Sequence, residues 1–212
     1  ARYPQALPLA IDYAPAMLAE VVRRASWMER LRRRAPRCVA ADVRALPLAN
    51  GTLGFAWSNL MLHWLDDPLP AFGELHRVLE TGGLLMFSAL GPDTLKELRA
   101  AGATTLRRFH DMHDLGDMLM AAGFSDPVMD METIALTYAS PRGLLRDQRL
   151  LGVRDGLFGP MGFREGRRVF RAWQSQKRDG RLPATFEIVY GHAWKAEPKA
   201  SADGRAIIRF HK

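Results

Sequence analysis

Leu7-Pro8-Leu9-Ala10-Ile11-Asp12-Tyr13-Ala14-Pro15-Ala16-Met17-Leu18 is an apolar run that ends on a carboxylate and is followed at once by proline. Short apolar runs of this kind read as strands buried on both faces, as in a parallel sheet. Pro15 suits the first turn of a following helix, where a missing N–H costs nothing. The same plan recurs in Cys38-Val39-Ala40-Ala41-Asp42 and in Ala56-Trp57-Ser58-Asn59-Leu60. Ligands of such sheets sit outside the carboxyl ends of the strands. Two carboxylates and an amide at successive strand ends therefore outline one polar crevice. Its chemistry suits a ribose, an adenine edge and an amino acid.

Outward from that core, helices and strands alternate. Residues 14–34 read as a helix, with Met17, Leu18, Val21, Val22 and Ala25 at helical spacing. Residues 37–41 and 53–58 read as strands, and 67–79 as a helix with Phe72, Leu75, Val78 and Leu79 on one face. Gly82-Gly83 is expected to end that helix. Leu84 to Ser88 reads as a fourth buried strand. Asp93 and Asp111 or Asp114 are candidate caps for helices near 94–101 and up to Gly123. Val128–Tyr138 looks extended, Pro141 opens a helix, residues 164–178 form a basic helix, and Thr185–Trp194 a last long strand. Residues 196–204 read as mobile and Ile207–Phe210 as a short edge strand. The pattern predicts an α/β fold with a late antiparallel pair.

The 212 residues suffice for one domain with a substantial core. No apolar stretch is long enough to cross a bilayer, and no signal peptide opens the sequence, so no membrane role is expected. Cys38 is the lone cysteine, which excludes an internal disulfide and fits a reducing, cytoplasmic setting. No His/Cys/Asp cluster has the spacing of a metal site. The net charge is +7. It gathers in Arg30, Arg32, Arg33, Arg34 and Arg37, and again in Arg164, Arg167, Arg168, Arg171, Lys177, Arg178 and Arg181. Such excess steers acidic partners or is a solvated helix face. No motif supports nucleic-acid binding.

Each rim residue has two readings. Asp12 is placed to accept ribose hydroxyls or to cap the next helix, and Tyr13 to lie against adenine. Asp42 suits the adenine amino group, with Val43 covering the ring, or serves its own turn. Asn59, with Ser58 and Leu60 beside it, is placed to hold a charged amino group or to stabilise its turn. Three such signals at three consecutive strand ends reinforce one another.

The chain resembles the class I S-adenosylmethionine-dependent methyltransferases. The matching text is Ala10-Ile11-Asp12-Tyr13 to Leu18, Ala41-Asp42-Val43 to Leu48, and Glu74-Leu75-His76-Arg77-Val78-Leu79 with Gly82-Gly83. More narrowly it is similar to the malonyl-acyl-carrier-protein O-methyltransferases of biotin synthesis. That likeness rests on Trp57–Leu60 with His63-Trp64, Asp111–Asp117, Leu144-Leu145-Arg146-Asp147 and Leu182–Trp194. A branch sharing the Leu-Pro-Ala-Thr strand includes a complex I assembly factor. The resemblance implies a Rossmann-like sheet, mostly parallel with an antiparallel C-terminal strand and helices on both faces. It implies one domain over 1–212 with a substrate-side helical insertion at about 140–180, S-adenosylmethionine as donor, and an acyl carrier protein as partner. Two departures stand out. Gly54 replaces an aspartate of the family, and no first strand or Gly-rich turn precedes Ala1, where residues 1–5 read as the end of the next helix. In the family that strand lies between those ending at Asp12 and Asn59. The chain starting at Ala1 is accordingly expected to bind the donor poorly.

On the acceptor side the resemblance places an arginine at Arg146, which is expected to grip the substrate carboxylate, with Arg149 as its neighbouring competitor. His110 and His113, flanking Asp111, are candidates to line the acceptor pocket, unless Asp111 or His113 simply starts the next helix, while His192 reads as packed at the sheet edge. The alternatives are a methyltransferase for another small acid or quinone-like acceptor, or a non-catalytic assembly factor of the same fold.

Overall fold

The computed structural model describes residues 6–25, 35–150 and 157–197. In chain order these form β1 (Leu9–Asp12), α1 (Pro15–Arg24), β2 (Arg37–Ala40), β3 (Leu53–Asn59), a 3-10 turn (Leu62–Trp64), α2 (Leu69–Val78), β4 (Leu79–Leu90), α3 (Lys96–Ala100), α4 (Met112–Ala121), β5 (Ser125–Tyr138), α5 (Pro141–Leu150), α6 (Phe163–Gln174) and β6 (Leu182–Trp194). The readings of residues 1–5, of the helix beyond Ala25, of the arginines from Arg30 to Arg34 and of Ile207–Phe210 lie outside the described residues.

β1 and β2 pair in parallel as one two-stranded sheet, and a second sheet runs β3-β4-β6-β5. β3 and β4 are parallel, and β6 runs against both β4 and β5. Among the described strands only β6 is reversed, in keeping with the mostly parallel α/β pattern. Gly82-Gly83 does not end α2. That helix stops at Val78, Leu79 turns extended, and Gly82, at φ +78°, makes a bend inside β4 where its N–H donates to Lys195 O at 2.7 Å.

Strand alternation sorts the residues of the larger sheet between its faces. Ala56, Leu85, Phe87, Val189 and Ala193 join Phe72, Leu75 and Val78 of α2 and Leu115 and Leu119 of α4 in the main core. Gly191 is required here, because a Cβ would lie 2.4 Å from the Phe87 ring. Without one, Phe87 lies flat enough across β6 to meet Phe72 at 5.5 Å between centroids. Each buried side chain of this size contributes on the order of 1.5–3 kcal/mol through burial. On the opposite face Phe55, Trp57, Met86, Val128, Tyr190 and Trp194 are exposed.

A second core sits at the carboxyl end of β4. It gathers Leu90, Leu95 and Leu98 with Leu144 of α5, Val169 and Trp173 of α6, and Leu182, Ala184 and Ile188 from the start of β6. Polar clamps fix it to the sheet. Glu187 accepts from Asp93 N at 2.7 Å, Glu97 accepts from Thr185 N at 2.9 Å and from the Thr185 hydroxyl, and Trp173 Nε1 donates to Pro183 O at 2.8 Å. Gly91 lets the Glu187 carboxylate approach, since a Cβ there would meet its Oε1 at 2.5 Å.

Candidate active site

Asp12 and Asp42 stand at the carboxyl ends of two neighbouring parallel strands, β1 and β2, and Asn59 at that of β3 in the second sheet. Asp12 closes β1, and its Oδ1 accepts from Ala14 N at 2.7 Å, fixing the step into α1. Its other carboxylate oxygen makes no hydrogen bond among the described residues, so the turn and a ligand do not compete for the same atom. Tyr13 is 80 % exposed beside it, its ring available to stack. Asp42 and Val43 follow β2. Arg44 lies near Asp42, Tyr13 and Asp66, and these acids favour its charge. That places the rim of the small sheet against the loop after β3. The loop from Asp42 to Asn50 is held from below by Arg77, which donates to Leu46 O, Leu48 O and Asn50 Oδ1 at 3.0, 2.8 and 2.8 Å, while Glu74 Oε2 accepts from Leu46 N at 2.8 Å.

At two rim positions the structure limits what a ligand could meet. The Asp42 carboxylate already faces Arg44, which reaches it at 2.6 Å, and the guanidinium together with Arg44 N–H holds its pKa down to about 2. A ligand amino group therefore competes with Arg44 for Asp42. Ser58 does not face the rim at all. It alternates with Asn59, so its Oγ is buried on the helix-covered side with no hydrogen-bond partner among the described residues. Val43 is half-buried and packs against the main core, leaving only part of its surface for a ring.

Asn59 is exposed at the end of β3, where its Oδ1 accepts from Ser88 Oγ at 2.6 Å. The bond fixes the amide orientation and leaves the NH2 group without a hydrogen bond among the described residues, so the group Asn59 has free is a donor, which suits a carboxylate better than the charged amino group the sequence suggests. Leu60 stands at φ +51°, a left-handed conformation that costs a non-glycine residue about 1 kcal/mol. Its N–H is held by Ser88 O at 3.0 Å and Ser88 Oγ at 3.2 Å. Ser88 was not among the sequence candidates. Its signal was register, since it lies directly opposite Asn59. From Asn59 and Ser88 a hollow of about 390 Å³ continues across the open face past Tyr190 and Asp130.

Beyond the end of β3, the 3-10 turn carries His63. It is 7 % exposed, between Trp64 at 4.6 Å and Phe109 at 5.7 Å. Leu90 N donates weakly to its Nδ1 at 3.4 Å. Burial, and secondarily the Arg107 charge, push its pKa down to about 4, so it is neutral at physiological pH. Arg107 donates to His63 O at 3.0 Å, Trp64 O at 2.7 Å and Asp66 Oδ1 at 2.6 Å, tying the second core to the loop after β3. His110 reaches the same loop, with Nε2 3.3 Å from Asp66 O, and Asp111 caps α4 by accepting from His113 N and Asp114 N.

Arg146 is not linked to these groups. It lies exposed on α5, which follows the far edge strand β5, and it makes no hydrogen bond or ion pair among the described residues. Its helix is anchored by Leu144, which is fully buried, and by Asp147 against Tyr138, whose pKa is raised to about 12 by burial and by that carboxylate. No group of three or more His, Cys, Asp or Glu side chains among the described residues is arranged to hold a metal. No helix among them is long and apolar enough to cross a membrane. At Gly54 a side chain would press only on the mobile end of Glu80, at 2.9 Å from Oε1.

Sheet order, reversed last strand and rim define a methyltransferase domain of the Rossmann-like kind. Residues 2–87 match the family model described as a methyltransferase domain. The architecture is shared with a Bacillus halodurans protein described as a methyltransferase, at TM-score 0.62 and 14 % identity over 89 % of this chain and 83 % of that one. The YcgJ protein of Bacillus subtilis gives TM-score 0.59 and 12 % identity over 89 % and 82 %. These two likenesses concern the fold alone. The sequence relationship is closer. The malonyl-[acyl-carrier protein] O-methyltransferase of Gallionella capsiferriformans is 49 % identical over 98 % of this chain and 75 % of its own length. That of Laribacter hongkongensis is 48 % identical over 100 % and 76 %. The chain belongs to the malonyl-acyl-carrier-protein O-methyltransferase family.

Proposed function

We propose that this protein transfers the methyl group of S-adenosylmethionine to the free carboxylate of a malonyl thioester carried by an acyl carrier protein, in the cytoplasm, as a step of biotin precursor synthesis. The observation that carries this reading is identity approaching one half, along essentially the whole chain, with relatives named for that reaction. The geometry fits the donor. The unengaged oxygen of Asp12 suits a ribose diol, the Tyr13 ring a purine face, and the oriented amide of Asn59 the amino-acid end.

When bound, S-adenosylmethionine supplies an electrophilic methyl on a sulfonium. A carboxylate oxygen attacks in line, the new C–O bond forms as the C–S bond breaks, and a neutral thioether leaves. No proton moves, so the site needs no strong base. Neutral His63 is consistent with this, because it adds no second charge beside the rim. Catalysis then rests on position. We assign Arg146 to grip the malonyl carboxylate with two N–H donors while an oxygen remains available for attack, and His110 to line the acceptor side. The second core, with α5 and α6, is the substrate-side insertion. Leu60 and Ser88 fix the donor edge of the rim.

The test is mass spectrometry of malonyl-carrier protein after incubation with full-length enzyme and donor. The expected product carries one added methyl on the malonyl group, and cleavage of the thioester releases that methyl with the malonyl group and leaves the carrier unmethylated. Methylation elsewhere, or none, sinks the reading. Arg146→Lys is expected to lower kcat/KM at least about 10-fold, because an ammonium cannot reproduce the two-point grip.

A further inference from the structure

We infer that the outward face of α6 is the docking surface for an acidic helix of the carrier protein. The inference rests on the proposed function, which supplies the carrier, and adds the place where it binds. At 100° per residue, Arg164, Arg167, Arg168 and Arg171 fall within an arc of about 100° on α6. The opposite side of the helix carries Gly166, Val169 and Trp173, all buried. Trp173 is further locked by its Nε1 bond to Pro183 O. The helix therefore cannot roll, and the four arginines stay in solvent, bordering an open groove.

Among the described residues several arginines are paired, whereas the four on α6, like Arg146, are not, and only on α6 do four of them share one helix face. Arg23 and Arg24 pair with Glu20, Arg44 with Asp42, Arg77 with Glu74, and Arg107 with Asp66. None of the four on α6 has an ion pair among the described residues. The single acid on α6, Glu165, accepts from Thr104 N at 3.2 Å and Thr104 Oγ1 at 2.8 Å and feels the charge of Arg168, whose guanidinium also donates to Gly102 O at 3.5 Å. Arginines spaced three and four apart repel one another along a helix, so the stripe weakens α6 in isolation. A row of guanidinium groups at helical spacing matches a row of carboxylates at helical spacing on a partner helix, with two-point bonds available at each. An anionic membrane fits less well, since the apolar face of α6 is consumed by the second core and has nothing left to insert.

The stripe is also correctly placed. Thr104 holds the first turn of α6, and three residues on, Arg107 holds the carbonyls of His63 and Trp64. Three residues span at most about 11 Å of extended chain. A carrier seated on α6 thus stands close enough to the acceptor side for its flexible prosthetic arm to reach it.

The experiment titrates fluorescently labelled holo-acyl carrier protein with the full-length protein, as wild type, Arg167→Glu/Arg171→Glu and Arg167→Gln/Arg171→Gln, at low and physiological salt. The charge-reversed variant is expected to bind at least about 10-fold more weakly and the neutral one roughly 3-fold more weakly, both with a reduced salt dependence. Should the reversed variant not fold, the neutral one decides. Unchanged affinity in a folded variant overturns the proposal. So does equal competition by a short DNA duplex or by phosphatidylglycerol vesicles, which would make the stripe a general polyanion surface. Methyl transfer to malonyl-pantetheine is measured in parallel, and the ratio of carrier to pantetheine kcat/KM should fall in the variants. If the two fall in proportion, docking on α6 is wrong while the methyltransferase reading stands. If no methyl is transferred by wild type but carrier binding follows the arginines, docking stands and the reaction assignment falls.

Discussion

Acid should destabilise this protein through His63 in a way that can be isolated. Its imidazole has an ordinary pKa of 6.5 once exposed in the unfolded chain, but about 4 in the fold, first because it is buried and second because Arg107 lies beside it. Between those values the unfolded chain binds a proton that the folded chain refuses, so falling pH favours unfolding. Above 6.5 both states are neutral there and the effect vanishes; below about 4 both are protonated and the loss is complete. The gap from 6.5 to about 4, at 1.36 kcal/mol per pH unit, amounts to about 3 kcal/mol. That is a large part of the 5–15 kcal/mol by which domains are typically stable. Other groups titrate in the same range, so a difference is needed. His63→Asn keeps an acceptor near the Nδ1 position but cannot titrate. Urea unfolding of both proteins from pH 7.5 to pH 4 should show wild type losing about 3 kcal/mol more than the variant, all of it below pH 6.5. A 15N-detected titration of the His63 ring should give a midpoint near 4. Parallel stability curves for the two proteins, or a midpoint between 6 and 7, would refute the burial argument.

Gly91→Ala pushes a methyl to within 2.5 Å of Glu187 Oε1, displacing the carboxylate that holds Asp93 N. It should lower stability by about 1–3 kcal/mol in denaturant titration, as overpacking does. Arg77→Met removes the donor shared by Leu46 O, Leu48 O and Asn50 and strands Glu74. Loss of about 1–3 kcal/mol is expected, with a raised KM for the donor because the Asp42 loop loses its support, read by urea unfolding and steady-state kinetics.

The route to the site was legible in part because its signals were local. Asp111 stands before an amphipathic run and caps α4 as that placement requires. Asp12 closes an apolar run and Asn59 another, and each stands at the carboxyl end of its strand. What escaped was whatever depended on a neighbour distant in sequence. Nothing near Asp42 announces that Arg44 covers its carboxylate, because the turn that folds one onto the other is a matter of backbone geometry. Ser58 and Asn59 are adjacent letters of equal polarity, and strand alternation sends one into the core. Ser88 becomes a rim residue only when β4 pairs with β3 in one register. His63 reads as an ordinary aromatic neighbour until Phe109 and Arg107 arrive from more than forty residues away.

By itself the sequence determined the order of helices and strands, the carboxyl-end location of the polar residues and the arginine stripe of α6, because each follows from a period or a cap within one segment. Only the tertiary structure decided which atoms of those residues remain available. Availability depends on pairing register, on which face of a strand is covered, and on charges meeting across loops. Those long-range contacts also leave His63 neutral and set the four arginines of α6 facing water without ion pairs among the described residues.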